Sequence, residues 1–342
     1  MSHTPINALG TWQEQLSNCI SSLDQLYAYL ELSPQDLGLD LNPDLKNLST
    51  AAASQFKIKV PMAYAQRISK KNPQDPLLLQ VLAQPQEQLE TIGYCKDPLA
   101  ETNTKFNPLP GLLHKYHGRV LIMLHGTCAI HCRYCFRRHF PYEKNRPGKL
   151  GLEKILNYLN QDSSIQEIIL SGGDPLINSD SYLENLIQEF NQIPHLKKLR
   201  FHTRIPVVLP DRITDDFVNI LKKFKGQLIM VLHSNSAQEI DQSVKQALNK
   251  LRPFMILLNQ AVLLKGVNDQ KDQQINLHQT LFESGVLPYY LHLLDKVQGT
   301  AHFDISESDA LKLIQEIQAE LPGYLVPKLA RELPYEKSKT TF

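Results

Sequence analysis

Residues 119–135 read RVLIMLHGTCAIHCRYC, an apolar run that ends in a short loop carrying Cys128, Cys132 and Cys135. The run at 119–124 has the length and apolar density of a buried strand, and the cysteines follow its carboxyl end. Their spacing is Cys-x3-Cys-x2-Cys. Three thiolates this close can bind three irons of a cubane cluster and leave the fourth iron without a protein ligand. Thiolate sulfur is the soft donor such clusters select. The duller reading is a zinc site, with His131 or His139 as fourth ligand. Structural zinc usually draws on a second Cys pair or a distant His pair, and no second pair stands in this chain. Of the five cysteines, Cys19 and Cys95 are isolated, so no disulfide framework is expected.

Downstream of the loop, short apolar runs alternate with amphipathic segments. The pattern predicts strands at 119–124, 167–170, 198–203, 227–232, 254–258 and 288–293. Helices are predicted near 152–160, 180–190, 212–223, 237–251, 272–284 and 307–320, with a short seventh strand at 324–326. Six strand–helix units define an α/β fold, a parallel sheet curled into a partial TIM-like (β/α)6 barrel with helices outside. Unusual residues recur at one place in the unit. The cysteine loop follows strand one, and Ser171-Gly172-Gly173-Asp174-Pro175 follows strand two. Arg204, His233-Ser234-Asn235, Asn259-Gln260 and Asp295 follow strands three to six. In (β/α) barrels this carboxyl rim is where active sites are built.

Upstream, residues 1–110 read as a mostly helical N-terminal region. Trp12, Leu16, Ile20, Leu23, Leu26 and Leu30 keep helical spacing up to Leu32, and short helices are expected at 61–67 and 76–82. The stretch NPLPG at 107–111 marks a junction. The chain thus divides into 1–110, a barrel over 111–330 and a tail over 331–342. Its 342 residues are 42% hydrophobic and 21% charged with net charge +1. That is a globular composition with no bulk pull toward nucleic acid or membrane. No apolar run spans a bilayer and the N-terminus lacks a signal-peptide pattern, so a cytoplasmic location is expected.

With Tyr134 before the last cysteine, the loop resembles the radical S-adenosylmethionine superfamily. There the amino and carboxylate groups of S-adenosylmethionine chelate the open iron of a [4Fe-4S] cluster, and one electron cleaves a carbon–sulfur bond to give an adenosyl radical. The resemblance sets Gly172, Gly173 and Asp174 against the methionine amino group. The stretches GLLHKYHGRV (111–120), CRYCFRRHF (132–140), SGGDPL (171–176), RIPVVLPDRIT (204–214), NQAVLLKGVND (259–269) and PYYLHLLDKVQGTAHF (288–303) are similar to lysine 2,3-aminomutases. The similarity runs from about residue 60 to the C-terminus. GYLVPKLARE (323–332) and the short tail resemble the bacterial branch that serves β-lysylation of elongation factor P.

The resemblance implies a cluster, S-adenosylmethionine and pyridoxal 5′-phosphate, used to turn (S)-α-lysine into (R)-β-lysine. It implies a reductase or flavodoxin-like electron donor and a separate elongation factor P ligase downstream, with no nucleic-acid or membrane partner. Two other readings stand beside it: an aminomutase of osmolyte or secondary metabolism, and a non-catalytic zinc-binding module. Residue by residue, Lys339 in Ser338-Lys339-Thr340 matches the lysine that holds pyridoxal phosphate; Lys337 and Lys328 compete for that role. Arg137 matches the residue that pairs with the substrate carboxylate, for which a guanidinium fork is suited. Arg119 matches a residue near the cofactor phosphate, and Gln260 a partner of the pyridine ring or phosphate. Asp295 and Glu332 match the pair that holds the substrate's distal ammonium, Glu332 standing where the family has aspartate. Clostridial relatives continue into a zinc-binding tail, whereas this sequence stops at Phe342, so their oligomeric state does not carry over.

Overall fold

The structure is a computed structural model and describes residues 10–40 and 42–342. Among the described residues, nine strands form one sheet in sequence order: β1 Leu112–Tyr116, β2 Arg119–Met123, β3 Glu167–Ser171, β4 Lys198–Thr203, β5 Gln227–Leu232, β6 Ile256–Val262, β7 Leu287–His292, β8 Lys328–Arg331 and β9 Thr340–Thr341. Strands β2 to β8 are parallel, while β1 and β9 run antiparallel at the two ends. Parallel neighbours in chain order are what repeated strand–helix–strand connections produce.

Side chains alternate along each parallel strand with the period of two that a pleat imposes. In β2, Ile122 enters the hydrophobic core, while Arg119 and Leu121 face a central cavity that Val120 also borders. In β4 the same split sets Leu199 and Phe201 against Arg200 and His202, and in β7 it sets Leu291 against Tyr290 and His292. Strands from opposite ends of the sheet thus line one cavity, so the sheet curls around it as the expected partial barrel. Its two ends are joined by side chains. Lys115 of β1 reaches Glu332, just past β8, at 3.1 Å, and Tyr335 packs on Phe106 with ring centres 5.5 Å apart.

The outer helices run over Gly148–Gln161, Asp180–Phe190, Asp215–Leu221, Gln242–Leu251, Lys271–Glu283 and Glu307–Glu320. Several begin where a side-chain oxygen caps the first turn: Ser179 on the Tyr182 N–H, Thr214 on Phe217, Asp241 on Val244 and Ser306 on Asp309.

Some expectations are corrected. The segment at 324–326 is no strand; Gly323–Leu325 is a 3-10 turn, and Pro327, without an N–H, delays pairing until β8 at Lys328. The fifth predicted strand lies later, so Asn259 and Gln260 sit inside β6 rather than after it. Asn259 is tolerated because its amide exchanges two 3.0 Å hydrogen bonds with the Ser234 backbone and so extends the sheet pairing. The segment from Trp12 to Leu32 is two helices, Trp12–Ser17 and Leu23–Leu30. Ile20 pairs with Val60 between them, and Ser22 caps the second. Strands β1 and β9 and the helix Pro43–Gln55 were not legible in the periodicity. Leu26, Leu30, Tyr64, Leu77 and Leu78 share one continuous core with the barrel's helix-facing side chains. Among the described residues no helix is long and apolar enough to cross a membrane.

Candidate active site

The cavity at the carboxyl rim has a volume of about 470 Å³ and gathers Cys128, Cys132, Cys135, Gly172, Gly173, Asp174, Arg119, Arg137, Gln260, Asp295, Glu332 and Lys339 on its wall. These twelve residues therefore border one space, whereas the competing candidates Lys337, Lys328, His131 and His139 do not.

The cysteine loop is anchored from outside by the N-terminal region. Arg133 is fully buried and grips Glu87 through Nε at 2.8 Å and Nη2 at 2.6 Å, while Arg138 reaches the same carboxylate at 2.7 Å. The His131 amide donates to the Lys59 carbonyl at 3.0 Å. Burial raises the Cys128 thiol well above its usual range, with Cys135, Asp174 and Cys132 adding to the effect. Burial also pushes Cys135 up to about 11, with Cys132 contributing. Bare, these sulfurs resist ionisation; a bound soft cation reverses that preference. Among the described residues, no three Cys, His, Asp or Glu side chains form a group that could hold a single metal ion. A cubane, whose protein ligands each bind a different iron, does not require that convergence. The two histidines are engaged elsewhere: His131 Nδ1 lies 2.6 Å from the Lys57 carbonyl and His139 Nε2 3.1 Å from that of Gln298.

The Gly-Gly-Asp turn is stitched to the start of this loop. The Gly173 N–H donates to the His125 carbonyl at 2.6 Å and the Asp174 N–H to that of Thr127 at 2.9 Å. A Cβ on Gly172, whose φ is +122°, would lie 2.5 Å from the His125 oxygen, and one on Gly173 would lie 2.1 Å from the Thr127 oxygen. Only glycine permits that backbone approach. The Asp174 carboxylate accepts from Leu176 N (3.1 Å), Thr203 Oγ1 (2.7 Å), Arg204 N (2.8 Å) and Ile205 N (3.2 Å). It ties the turns after β3 and β4 together, so its side chain is committed within the protein.

Arg204 follows β4 and donates from Nη1 to Cys132 Sγ at 2.7 Å and to the Tyr134 hydroxyl at 2.9 Å. Its Nη2 donates to Gln80 Oε1 at 2.6 Å and to Glu239 Oε2 at 3.0 Å. Glu87, Gln80 and Glu239 were not visible as site residues, since polar residues in loops carry no periodic signal.

The opposite wall is a chain of alternating charge. Lys339 Nζ donates to Glu332 Oε2 at 2.6 Å, and Lys115 Nζ donates to Glu332 Oε1 at 3.1 Å. Lys115 also lies 3.8 Å from Glu101, which grips Arg137 through Nε at 2.6 Å and Nη2 at 2.8 Å. Burial alone would raise Glu332, but Lys339 and Lys115 hold it down at about 2. Asp295 goes the other way: burial and the charge of Glu332 push it up to about 7. Burial keeps His292 neutral, down at about 3, with Lys339 adding to the effect. Lys337 and Lys328 are exposed, away from the cavity wall, whereas Lys339 is half-buried on it. Pairing of β9 with Ala330 and Arg331 sets Lys339 in place. Arg119 stacks its guanidinium 4.8 Å from the Tyr116 ring centre. Among the described residues, His202 Nε2 and Arg204 Nε are buried without a hydrogen-bond partner. Unpaired polar atoms on a cavity wall are the mark of a site built for polar ligands.

A partial barrel with three cysteines at its carboxyl rim defines a radical S-adenosylmethionine protein, and residues 122–275 match the Radical SAM superfamily. The chain is 46% identical over 332 residues to the L-lysine 2,3-aminomutase of Haemophilus influenzae, covering 97% of this chain and 95% of that one. It is 43% identical to the L-lysine 2,3-aminomutase of Escherichia coli (96% and 93% covered) and 40% identical to that of Buchnera aphidicola (96% and 94%). The protein belongs to the lysine 2,3-aminomutase family of radical S-adenosylmethionine isomerases.

Proposed function

We propose that this enzyme isomerises (S)-α-lysine to (R)-β-lysine by moving the amino group from Cα to Cβ, and that the product serves β-lysylation of elongation factor P by a separate ligase. One observation carries the reading: Lys339 and the carboxylates Glu332 and Asp295 stand in the same cavity as the three cysteines. Cys128, Cys132 and Cys135 would hold a [4Fe-4S] cluster, with S-adenosylmethionine beside Gly172 and Gly173. Lys339 would hold pyridoxal phosphate, with Arg119 and Gln260 as neighbours. Together these groups supply one-electron chemistry at an unactivated carbon and a π system next to the migrating nitrogen.

The chain's own residues bind and orient. Arg137 keeps one N–H on each terminal nitrogen after its bonds to Glu101 and Ser171, and these meet the substrate carboxylate. Asp295 and Glu332 receive the distal ammonium, a pairing that repels acidic side chains. A cytoplasmic location and an electron donor of the reductase or flavodoxin type complete the proposal. The elongation factor P role rests on the likeness of 323–332 to that branch.

The test is anaerobic incubation of the reconstituted enzyme with lysine, S-adenosylmethionine, pyridoxal phosphate and a reductant, followed by chiral analysis. Formation of (R)-β-lysine from (S)-α-lysine is expected. An unchanged substrate pool overturns the activity, and the opposite β-enantiomer overturns the stereochemistry.

A further inference from the structure

We infer that Glu101, from the segment before the barrel, is a positioning residue that fixes Arg137 for the substrate carboxylate, an inference that rests on the proposed lysine chemistry. Both side chains are almost wholly buried, 5% and 8% exposed. Glu101 takes the side edge of the guanidinium with both carboxylate oxygens, at 2.6 and 2.8 Å. Ser171 Oγ accepts from Nη1 at 3.3 Å. Of five N–H donors, one on each terminal nitrogen remains. The Nε side of the guanidinium is thus taken, and a second carboxylate must be met by the remaining N–H groups on Nη1 and Nη2.

The backbone around Glu101 is built to hold that pose. The Asp97 carboxylate accepts from the amides of Glu101 at 2.9 Å and Thr102 at 3.0 Å, and from the Thr102 hydroxyl at 2.6 Å. Ala100, directly before Glu101, has φ +50°, a left-handed conformation that costs free energy for a residue with a Cβ. Such strain persists only where the surroundings over-determine it. Glu101 also does electrostatic work. Arg137, Lys115 and Lys339 are three cations facing the two carboxylates Glu101 and Glu332. Without Glu101, Arg137 would be a buried cation with no carboxylate to set its direction at the carboxylate end of the site.

The experiment uses the reconstituted holoenzyme and compares Glu101→Gln with the parent. Two constants are read: KM for lysine, and the inhibition constant of pentane-1,5-diamine, which has the ammonium groups but no carboxylate. Losing a charge-assisted buried contact at the carboxylate end should raise the lysine KM about tenfold to a hundredfold. The diamine constant should stay within about twofold of the parent. Glu101→Asp, which keeps the charge on a shorter stem, should fall between. An unchanged lysine KM overturns the inference, and so does a parallel rise of both constants, which marks general loosening. If Glu101→Gln gives no folded holoenzyme, the same pair of constants on Glu101→Asp decides. A parent that does not act on lysine overturns the proposed function itself, a result seen before any variant is made.

Discussion

The ammonium of Lys339 sits 2.6 Å from the carboxylate of Glu332, seven residues earlier in the chain, with Lys115 on the other oxygen of the same carboxylate at 3.1 Å. The residue assigned to the cofactor and the residue assigned to the substrate's ammonium are thus already partners. Were Lys339 to hold pyridoxal phosphate as proposed, Glu332 Oε2 would lose that partner and become free to accept from an incoming ammonium.

Lys339→Ala should abolish turnover and remove the visible absorption band of lysine-bound pyridoxal phosphate. Lys337→Ala, altered at an exposed position, should keep both. Absorption spectra of the two reconstituted variants check this; the reverse pattern would transfer the role to Lys337.

Asp295 is pushed up to about 7 by burial and Glu332, so at neutral pH a large fraction is protonated. An ammonium arriving beside it favours the carboxylate, and the proton must leave. Lysine binding near pH 7 should therefore release a proton, and affinity should weaken as pH falls through 7. Calorimetry in buffers of different ionisation enthalpy reads the proton directly. Asp295→Asn should abolish the release and weaken lysine binding about tenfold or more.

Glu332 has the opposite linkage. Its folded-state value of about 2 lies below its ordinary value near 4.5. Its stabilising contribution is therefore present above pH 4.5 and is lost as pH falls toward 2. Glu332→Gln should lower stability by about 2–3 kcal/mol at pH 7 and flatten the acid limb between these values. Urea unfolding at pH 7 and at pH 3 gives the comparison: a deficit of equal size at both would contradict the linkage.

Glu87→Gln leaves Arg133 and Arg138 without their shared carboxylate beneath the cysteine loop. Breaking a fully buried ion pair from one side costs about 3–5 kcal/mol, so the urea midpoint should fall. Iron bound per chain after anaerobic reconstitution should fall with it. A variant with parental iron content and stability would show that the loop does not depend on this anchor.

Gly173→Ala tests the turn. A methyl group 2.1 Å from the Thr127 carbonyl cannot be accommodated without moving the start of the cysteine loop. A loss of about 1–3 kcal/mol is expected from the overpacking, together with reduced iron retention by metal analysis.

What the sequence made legible was local. Cys128, Cys132 and Cys135 are recognised by spacing, and the parallel strands by apolar runs of fixed length between amphipathic helices. Lys339 stood out by resemblance, and its half-buried place on the cavity wall separates it from Lys337 and Lys328. What escaped depends on distant partners. Glu101, Glu87 and Gln80 look like solvated loop residues until the fold brings Arg137, Arg133 and Arg204 to them. Asn259 read as lying past the strand because a polar side chain within it is unfavourable unless a neighbour satisfies it, and Ser234 does so from the loop after β5. Asp174 lies on the cavity wall, and the four donors of its own chain that its oxygens bond left no signal in the sequence.

The two ends of the sheet, β1 and β9, are not ladder neighbours; Lys115 with Glu332 and Phe106 with Tyr335 fasten them instead. Parting a seam of that kind needs side chains to swivel, while every amide rung of the barrel stays intact. The closure of the barrel at this seam therefore depends on the same carboxylate, Glu332, that Lys339 holds from the other side.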